Sequence, residues 1–234
     1  MRTVKWLGFV AVVTGMSALA GWQIAIRWHP SPATYPIQGV DVSRHQGDID
    51  WREIRSGGAD FAFIKATEGG DWVDGRFAEN WREAEAAGLR RGAYHFFTLC
   101  RPGREQAQNF IDTVPVDANA LPPVVDLEFY GNCSVLADPE TLRSELADFL
   151  ELVEGHYGQR AILYVLEDFD ARYAIIEHFD RTLWLRSLVT LPDYGGRDWT
   201  IWQASSFRHM DGVEGRIDWN VLAPEATLET LGDS

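Results

Sequence analysis

From Gln38 onward, short apolar runs alternate with longer stretches in which apolar residues recur every three or four positions. Brief runs rich in β-branched and aromatic side chains read as buried strands, and the 3.6-residue period reads as amphipathic helix. Eight runs predict strands: Gly39–Val42, Phe61–Lys65, Gly92–Phe97, Val124–Leu127, Ala161–Val165, Thr182–Leu185, Thr200–Gln203 and Arg216–Asp218. Four stretches predict helices. Arg76–Ala87 is rich in Ala and Glu and stops at Gly88, and Arg104–Val114 has Ala107, Phe110, Ile111 and Val114 at helical spacing. Thr141–Gly155 follows Asp138-Pro139, a cap and a first-turn proline, and Phe169–His178 is the fourth. The connections at 187–199 and 204–215 are too short and Gly-rich for full helices. This alternation implies a mostly parallel sheet covered on its outer side. Eight strands imply closure into an α/β fold of the irregular (β/α)8, TIM-like barrel type. An open doubly wound sheet is the alternative, but no GxGxxG or phosphate loop follows the first strand.

The N-terminus follows a different pattern. Trp6 to Ile26 is an uncharged stretch between Lys5 and Arg27. As a helix it would span about 30 Å, enough for a bilayer core. Arg2 and Lys5 precede it, so the positive-inside rule keeps the N-terminus in the cytoplasm and sends the rest out. A cleaved signal peptide is the competing reading, with Ala18-Leu19-Ala20 as the small-residue site. The apolar run continues past that site through Trp22, Ile24 and Ile26. Residues 1–28 are therefore expected to be one transmembrane anchor or signal, and 29–36, with three prolines, a linker. Residues 37–223 form the barrel and 224–234 a tail. The barrel is expected outside the cytoplasm, membrane-anchored or secreted if the signal is cut.

Charge narrows the partners. The 234 residues hold 21 Lys plus Arg against 35 Asp plus Glu, a formal net charge of −14. Arg2, Lys5 and Arg27 all precede the first acid, so the remainder carries 18 basic and 35 acidic residues, or −17. That field repels a phosphate backbone and argues against nucleic-acid binding, while neutral glycans stay open. Cys100 and Cys133 fit an exported protein. Their disulfide would close a loop of about 34 residues and contribute roughly 3–4 kcal/mol, with two separate buried thiols as the alternative. No CxxC or HxxxH spacing suggests zinc.

Acidic residues cluster at predicted strand ends: Asp41 in the first, Asp126 and Glu128 at the fourth, Asp218 at the last. In such a barrel these ends surround one mouth. Residues i and i+2 of a strand share a face, with Cα atoms about 6.6 Å apart. Two carboxylates that close disfavour joint ionisation, so one stays protonated near neutral pH. Glycosidic cleavage needs that combination, a proton for the leaving oxygen and a carboxylate for the anomeric carbon. A divalent-metal site and a purely structural pair are the other readings of the same spacing.

Five stretches, in order, resemble glycoside hydrolase family 25, the Chalaropsis-type lysozymes. They are Gly39-Val40-Asp41-Val42-Ser43-Arg44-His45-Gln46-Gly47 with Ile49-Asp50-Trp51; Phe63-Ile64-Lys65-Ala66-Thr67-Glu68-Gly69; Gly92-Ala93-Tyr94-His95-Phe96-Phe97; Val125-Asp126-Leu127-Glu128; and Trp202-Gln203 with Gly215-Arg216-Ile217-Asp218-Trp219-Asn220. The resemblance implies a modified barrel that cleaves the β-1,4 bond between N-acetylmuramic acid and N-acetylglucosamine in peptidoglycan. It places Glu128 as proton donor and Asp126 as its partner, acting as nucleophile or as positioner of the 2-acetamido group, with Asp41 and Asp218 completing the site. It implies no cofactor and no metal, and a monomer is expected. An endo-hexosaminidase acting on chitin-like glycans and a non-catalytic glycan-binding module are the alternatives. Tyr94, Trp184 and Trp202 are candidate sugar platforms, His95 and His45 candidate partners of the carboxylates, and Lys65 with Glu68 a candidate ion pair or rim contact. The chain departs from the family at Arg186 and Leu188, usually a small residue and Tyr, and at Ala204, usually Tyr. These changes remove aromatic surface near the expected groove.

Overall fold

All eight apolar runs form strands in the computed structural model, which describes residues 21–134 and 136–232. The strands are β1 (Gln38–Val42), β2 (Phe61–Glu68), β3 (Trp72–Val73), β4 (Arg90–Phe96), β5 (Val124–Leu127), β6 (Ile162–Val165), β7 (Leu183–Arg186), β8 (Ile201–Arg208) and β9 (Ile217–Leu222). β1 pairs with both β2 and β9, closing an eight-strand ring in the order β1-β9-β8-β7-β6-β5-β4-β2. β3, which the apolar pattern does not reveal, is a two-residue strand folded back on the end of β2. Pairings around the ring are parallel except those of β9, which runs antiparallel to β8 and β1. The cause is the helix-free link between β8 and β9. A parallel return needs a long crossover, whereas a short link can only bring the chain back antiparallel.

From Trp51 onward the described residues form six α-helices: α1 (Trp51–Ser56), α2 (Phe77–Ala86), α3 (Gly103–Thr113), α4 (Pro139–Tyr157), α5 (Glu167–Tyr173) and α6 (Ile175–His178). α1 is absent from the sequence expectation, although Asp50 caps it by accepting from the Arg52 and Glu53 amides. The single helix expected over Phe169–His178 is broken at Ala174, whose φ is 51°. The Asp170 carboxylate takes the Ile176 amide beyond the break and restarts the helix. α4 has Asp138 as its cap, Pro139 in its first turn and Gly158 in left-handed geometry at its end.

Period-two alternation sorts the side chains into two cores. Outward residues such as Val40, Ile64, Val125, Leu163 and Leu185 pack against the helices. Inward residues Phe61, Phe63, Val124, Ile162, Tyr164, Trp184, Ile201 and Leu222 fill the barrel. The stretch read as a tail belongs to this interior: a 3₁₀ turn at Leu228–Thr230 brings Leu231 into the barrel floor, where its carbonyl accepts from the Thr182 hydroxyl. The stretch read as a linker is docked as well. The Gln38 amide donates to the carbonyls of Pro30 and Tyr35, and Tyr35 packs on Trp202. The expected membrane segment lies mostly outside the described residues, among which no helix is long and apolar enough to cross a membrane.

Two inward glycines admit the phenylalanine rings. A Cβ on Gly39 would stand 2.6 Å from the Phe61 ring, and one on Gly92 would stand 2.4 Å from the Phe63 ring. The interior below the mouth therefore has no room for another carbon. Gly92→Ala is expected to lower unfolding free energy by about 1–3 kcal/mol. Urea denaturation would show this as a lower midpoint at constant slope. An unchanged midpoint would mean that the Phe63 ring can step aside.

Candidate active site

The same alternation carries the acids to one place. On β1, Asp41 points inward between the outward Val40 and Val42. On β5, Asp126 points inward and Glu128 follows on the same face just past the strand end. Asp218 arrives by a different route than the sequence suggests. It lies near the start of β9, not at a strand's end, and the antiparallel course of β9 brings that start to the mouth. Asp41 and Asp218 are direct cross-strand partners. Like charges so placed repel unless one is neutralised.

The four carboxylates line a cavity of about 270 Å³ together with Tyr94, Tyr164, Trp184, Arg186 and Gln203. A second lobe of about 370 Å³ shares all four acids and Tyr94, and extends past His45, Lys65, Glu68 and Phe96. A larger concavity, about 850 Å³, lies outside the barrel around Asp48–Arg52 and Gly212–Glu214 and touches none of these acids. Polar side chains hold Asp41. Its Oδ2 accepts from Gln203 Nε2 at 2.9 Å and from Asn220 Nδ2 at 2.7 Å. Tyr164 donates to Gln203 and the Trp184 indole donates to Asn220, so both amides are oriented from behind. This leaves the second Asp41 oxygen for a ligand.

Burial governs the ionisation of the cluster. Loss of water raises the pKa of Asp41, even against the hydrogen bonds from Asn220 and Gln203. Burial, then the charge of Glu128, holds Asp126 well above the usual carboxylate range, and its Oδ1 has no hydrogen-bond partner among the described residues. Burial, then Asp41, does the same for Asp218. Glu128 is raised to about 7, mainly by burial, with Arg186 and Lys65 pulling the other way. Both members of the Asp126–Glu128 pair are thus held above the usual carboxylate range, which favours proton retention near neutral pH. Among the described residues, no group of three acidic, histidine or cysteine side chains is placed to hold a metal ion.

The other sequence candidates divide by facing. Tyr94 lines both lobes, and Trp184 forms the floor against Phe63 and Tyr164. Lys65 reaches the second lobe but is engaged with Glu68 at 2.7 Å, between the Trp72 and Phe96 rings. A register shift in β2 after Lys65 returns Glu68 to the inner face. His95 and Trp202 do not reach the cleft, because each sits one residue out of phase with an inward neighbour. His95 is fully buried under α3 and α4, bonded to the Thr67 hydroxyl and Gln106. Burial lowers its pKa to about 3, so it is neutral. Trp202 packs outside the barrel on Tyr35 and Trp199, and its indole donates to the Ser187 carbonyl.

Sequence reasoning missed Tyr164, Gln203, Asn220 and Arg186 as site residues. Polar side chains at inward positions of otherwise apolar strands were the available signal. It also missed Asn132. Cys100 and Cys133 form a disulfide, with Cα atoms 6.0 Å apart. Beside it, Asn132 Oδ1 accepts the Leu99 and Cys133 amides, while Nδ2 donates to the carbonyls of Phe97 and Glu128. The loops after β4 and β5 are thereby tied together immediately behind Glu128.

Comparison with known proteins is consistent along most of the chain. The sequence profile of glycosyl hydrolases family 25 matches residues 40–213. The protein YegX of Escherichia coli K12 is 36% identical over 207 residues, covering 86% of this chain and 74% of its own. Lysozyme M1 of Streptomyces globisporus is 33% identical over 203 residues, covering 80% of this chain and 68% of its own. A family 25 glycosyl hydrolase structure from Bacillus anthracis aligns with a TM-score of 0.78 at 39% identity, over 88% of this chain and 96% of that one.

Glu128 contributes to stability with a definite sign. Its pKa is about 7 in the folded chain against 4.5 in the unfolded one, so its favourable contribution is complete below about 4.5 and is lost as pH rises through 7. Glu128→Gln is expected to raise stability by roughly 1–3 kcal/mol at pH 8 and to leave it nearly unchanged at pH 4. Thermal melts at the two pH values would show this, and an equal effect at both would exclude a raised carboxyl.

Proposed function

Because the chain belongs to glycosyl hydrolases family 25, we propose that it hydrolyses peptidoglycan as a lysozyme with Glu128 as its proton donor. The bond is the β-1,4 linkage from N-acetylmuramic acid to N-acetylglucosamine. The paired, buried acids at positions 126 and 128 are the observation that carries this reading.

Glu128, protonated below about pH 7, delivers its proton to the glycosidic oxygen as the bond to the anomeric carbon breaks. Asp126 faces the positive charge that develops there, either by direct attack or by positioning the 2-acetamido group for that purpose. Water completes the hydrolysis and Glu128 recovers a proton. Asp41, with one oxygen committed to Gln203 and Asn220, and Asp218 opposite it bind the sugar and set the local charge. Tyr94 and Trp184 supply ring surface. No step requires a cofactor. The chain acts as a monomer outside the cytoplasm, where the Cys100–Cys133 disulfide persists. The Trp6–Ile26 segment tethers it to the membrane or directs its secretion.

Incubating the exported part with purified peptidoglycan should produce new muramic acid reducing ends, identified by muropeptide mass spectrometry. N-acetylglucosamine reducing ends would instead indicate a hexosaminidase, and wall binding without new ends a non-catalytic module. Glu128→Gln should cut turnover at least 10³-fold while the protein stays folded. Near-normal turnover would remove Glu128 from the donor role.

A further inference from the structure

Arg186 is the one cation among the described residues lining the 270 Å³ lobe. It is also the residue at which the sequence departs from the small side chain usual in the family. Its backbone is held firmly. The Arg186 amide donates to the Tyr194 hydroxyl, which donates in turn to the Val165 carbonyl at the end of β6. On the other side Arg186 is in register with Gln203, and the following amide, that of Ser187, donates to the Gln203 carbonyl. Side-chain alternation along β7 puts Arg186 on the inner face, one step nearer the mouth than Trp184.

The guanidinium itself is unspent. Among the described residues it makes no ion pair and no side-chain hydrogen bond, although Asp41, Glu128 and Asp218 all feel its charge. Lys65, the cation of the other lobe, contrasts with it, because its charge is taken up by Glu68 and two rings. A guanidinium carried on a held backbone, with no ion pair among the described residues, can recognise a carboxylate through two parallel hydrogen bonds. A glycan strand of peptidoglycan carries one ionisable substituent of that kind, the lactyl group of muramic acid. It is a carboxylate where the stem peptide has been removed and a neutral amide where the peptide remains. An anion entering this acidic cleft would be repelled unless a cation stood ready to meet it.

The geometry points to Arg186 as a specificity-determining residue that pairs with the free lactyl carboxylate of muramic acid, so that peptide-free glycan strands are the preferred substrate. This rests on the muramidase reading above.

The test compares kcat/KM on glycan strands stripped of stem peptides by an amidase with that on the same strands bearing peptides, counting muramic acid reducing ends. Wild type should favour the stripped strands at least tenfold. Arg186→Ala should lose at least tenfold more kcat/KM on stripped strands than on peptide-bearing ones, with the difference between the two substrates chiefly in KM. Arg186→Lys should recover part of the loss. An equal loss on both substrates, whether or not the pH profile moves, would mean that Arg186 acts only through the acids and would overturn the proposal. Calorimetry on the wild-type protein gives a readout that does not depend on folding of the variant or on turnover. A muramic acid disaccharide with a free lactyl carboxylate should bind at least tenfold more tightly than its lactyl methyl ester. Equal affinity overturns the role of Arg186, whereas the absence of muramic acid ends from either strand overturns the muramidase reading alone.

Discussion

Four carboxylates meet at one end of a barrel whose remaining interior is filled with rings and aliphatic side chains. Ionising all four there would cost far more than a domain of this size can spare. The cluster is therefore compatible with folding only if some members keep their protons, and burial is the first cause of the raised pKa at Asp41, Asp126, Glu128 and Asp218 alike. The burden on the fold and the capacity to donate a proton have the same physical origin. Sites that carry strain of this kind are where activity and stability oppose one another.

Several structural features follow from that constraint. The reversal of β9 brings Asp218 directly across from Asp41, concentrating charge where the ring closes. Gln203 and Asn220, oriented by Tyr164 and Trp184, offset part of the burial of Asp41 without neutralising it. Asn132 and the adjacent disulfide secure the loop that begins at Glu128, the one member of the pair lying past the end of its strand. Arg186 and Lys65 oppose the rise at Glu128 and keep it titratable near neutrality. A donor must release its proton as well as hold it, and a group poised near the working pH does both.

Much of this was legible in the sequence because it depends on periodicity. Strand positions follow from apolar runs, and the shared face of Asp126 and Glu128 follows from a repeat of two. The same repeat, applied strictly, separates Tyr94 from His95 and Gln203 from Trp202. Both misplaced residues are polar or amphipathic side chains whose hydrogen bonds are met outside the barrel. α1 escaped notice because six residues carry little periodic signal, and the break at Ala174 because no glycine or proline marks it. The direction of β9 follows from the short, helix-free link before it, which the sequence shows, whereas the burial of Leu231 depends on ring closure, which no local pattern encodes. Arg186 read only as a departure from a usually small residue and proves to be a cation within the cleft, since its meaning depends on which acids surround it.

Carbon-13 NMR titration of the side-chain carboxyls, followed from pH 3 to pH 9 on the folded protein, reports directly on proton retention in the cluster. At least one carboxyl resonance should titrate with an apparent pKa near 7 and should disappear in Glu128→Gln. If every aspartate and glutamate instead completes its titration between pH 3 and pH 5, the cluster is fully ionised at neutral pH and holds no proton to donate.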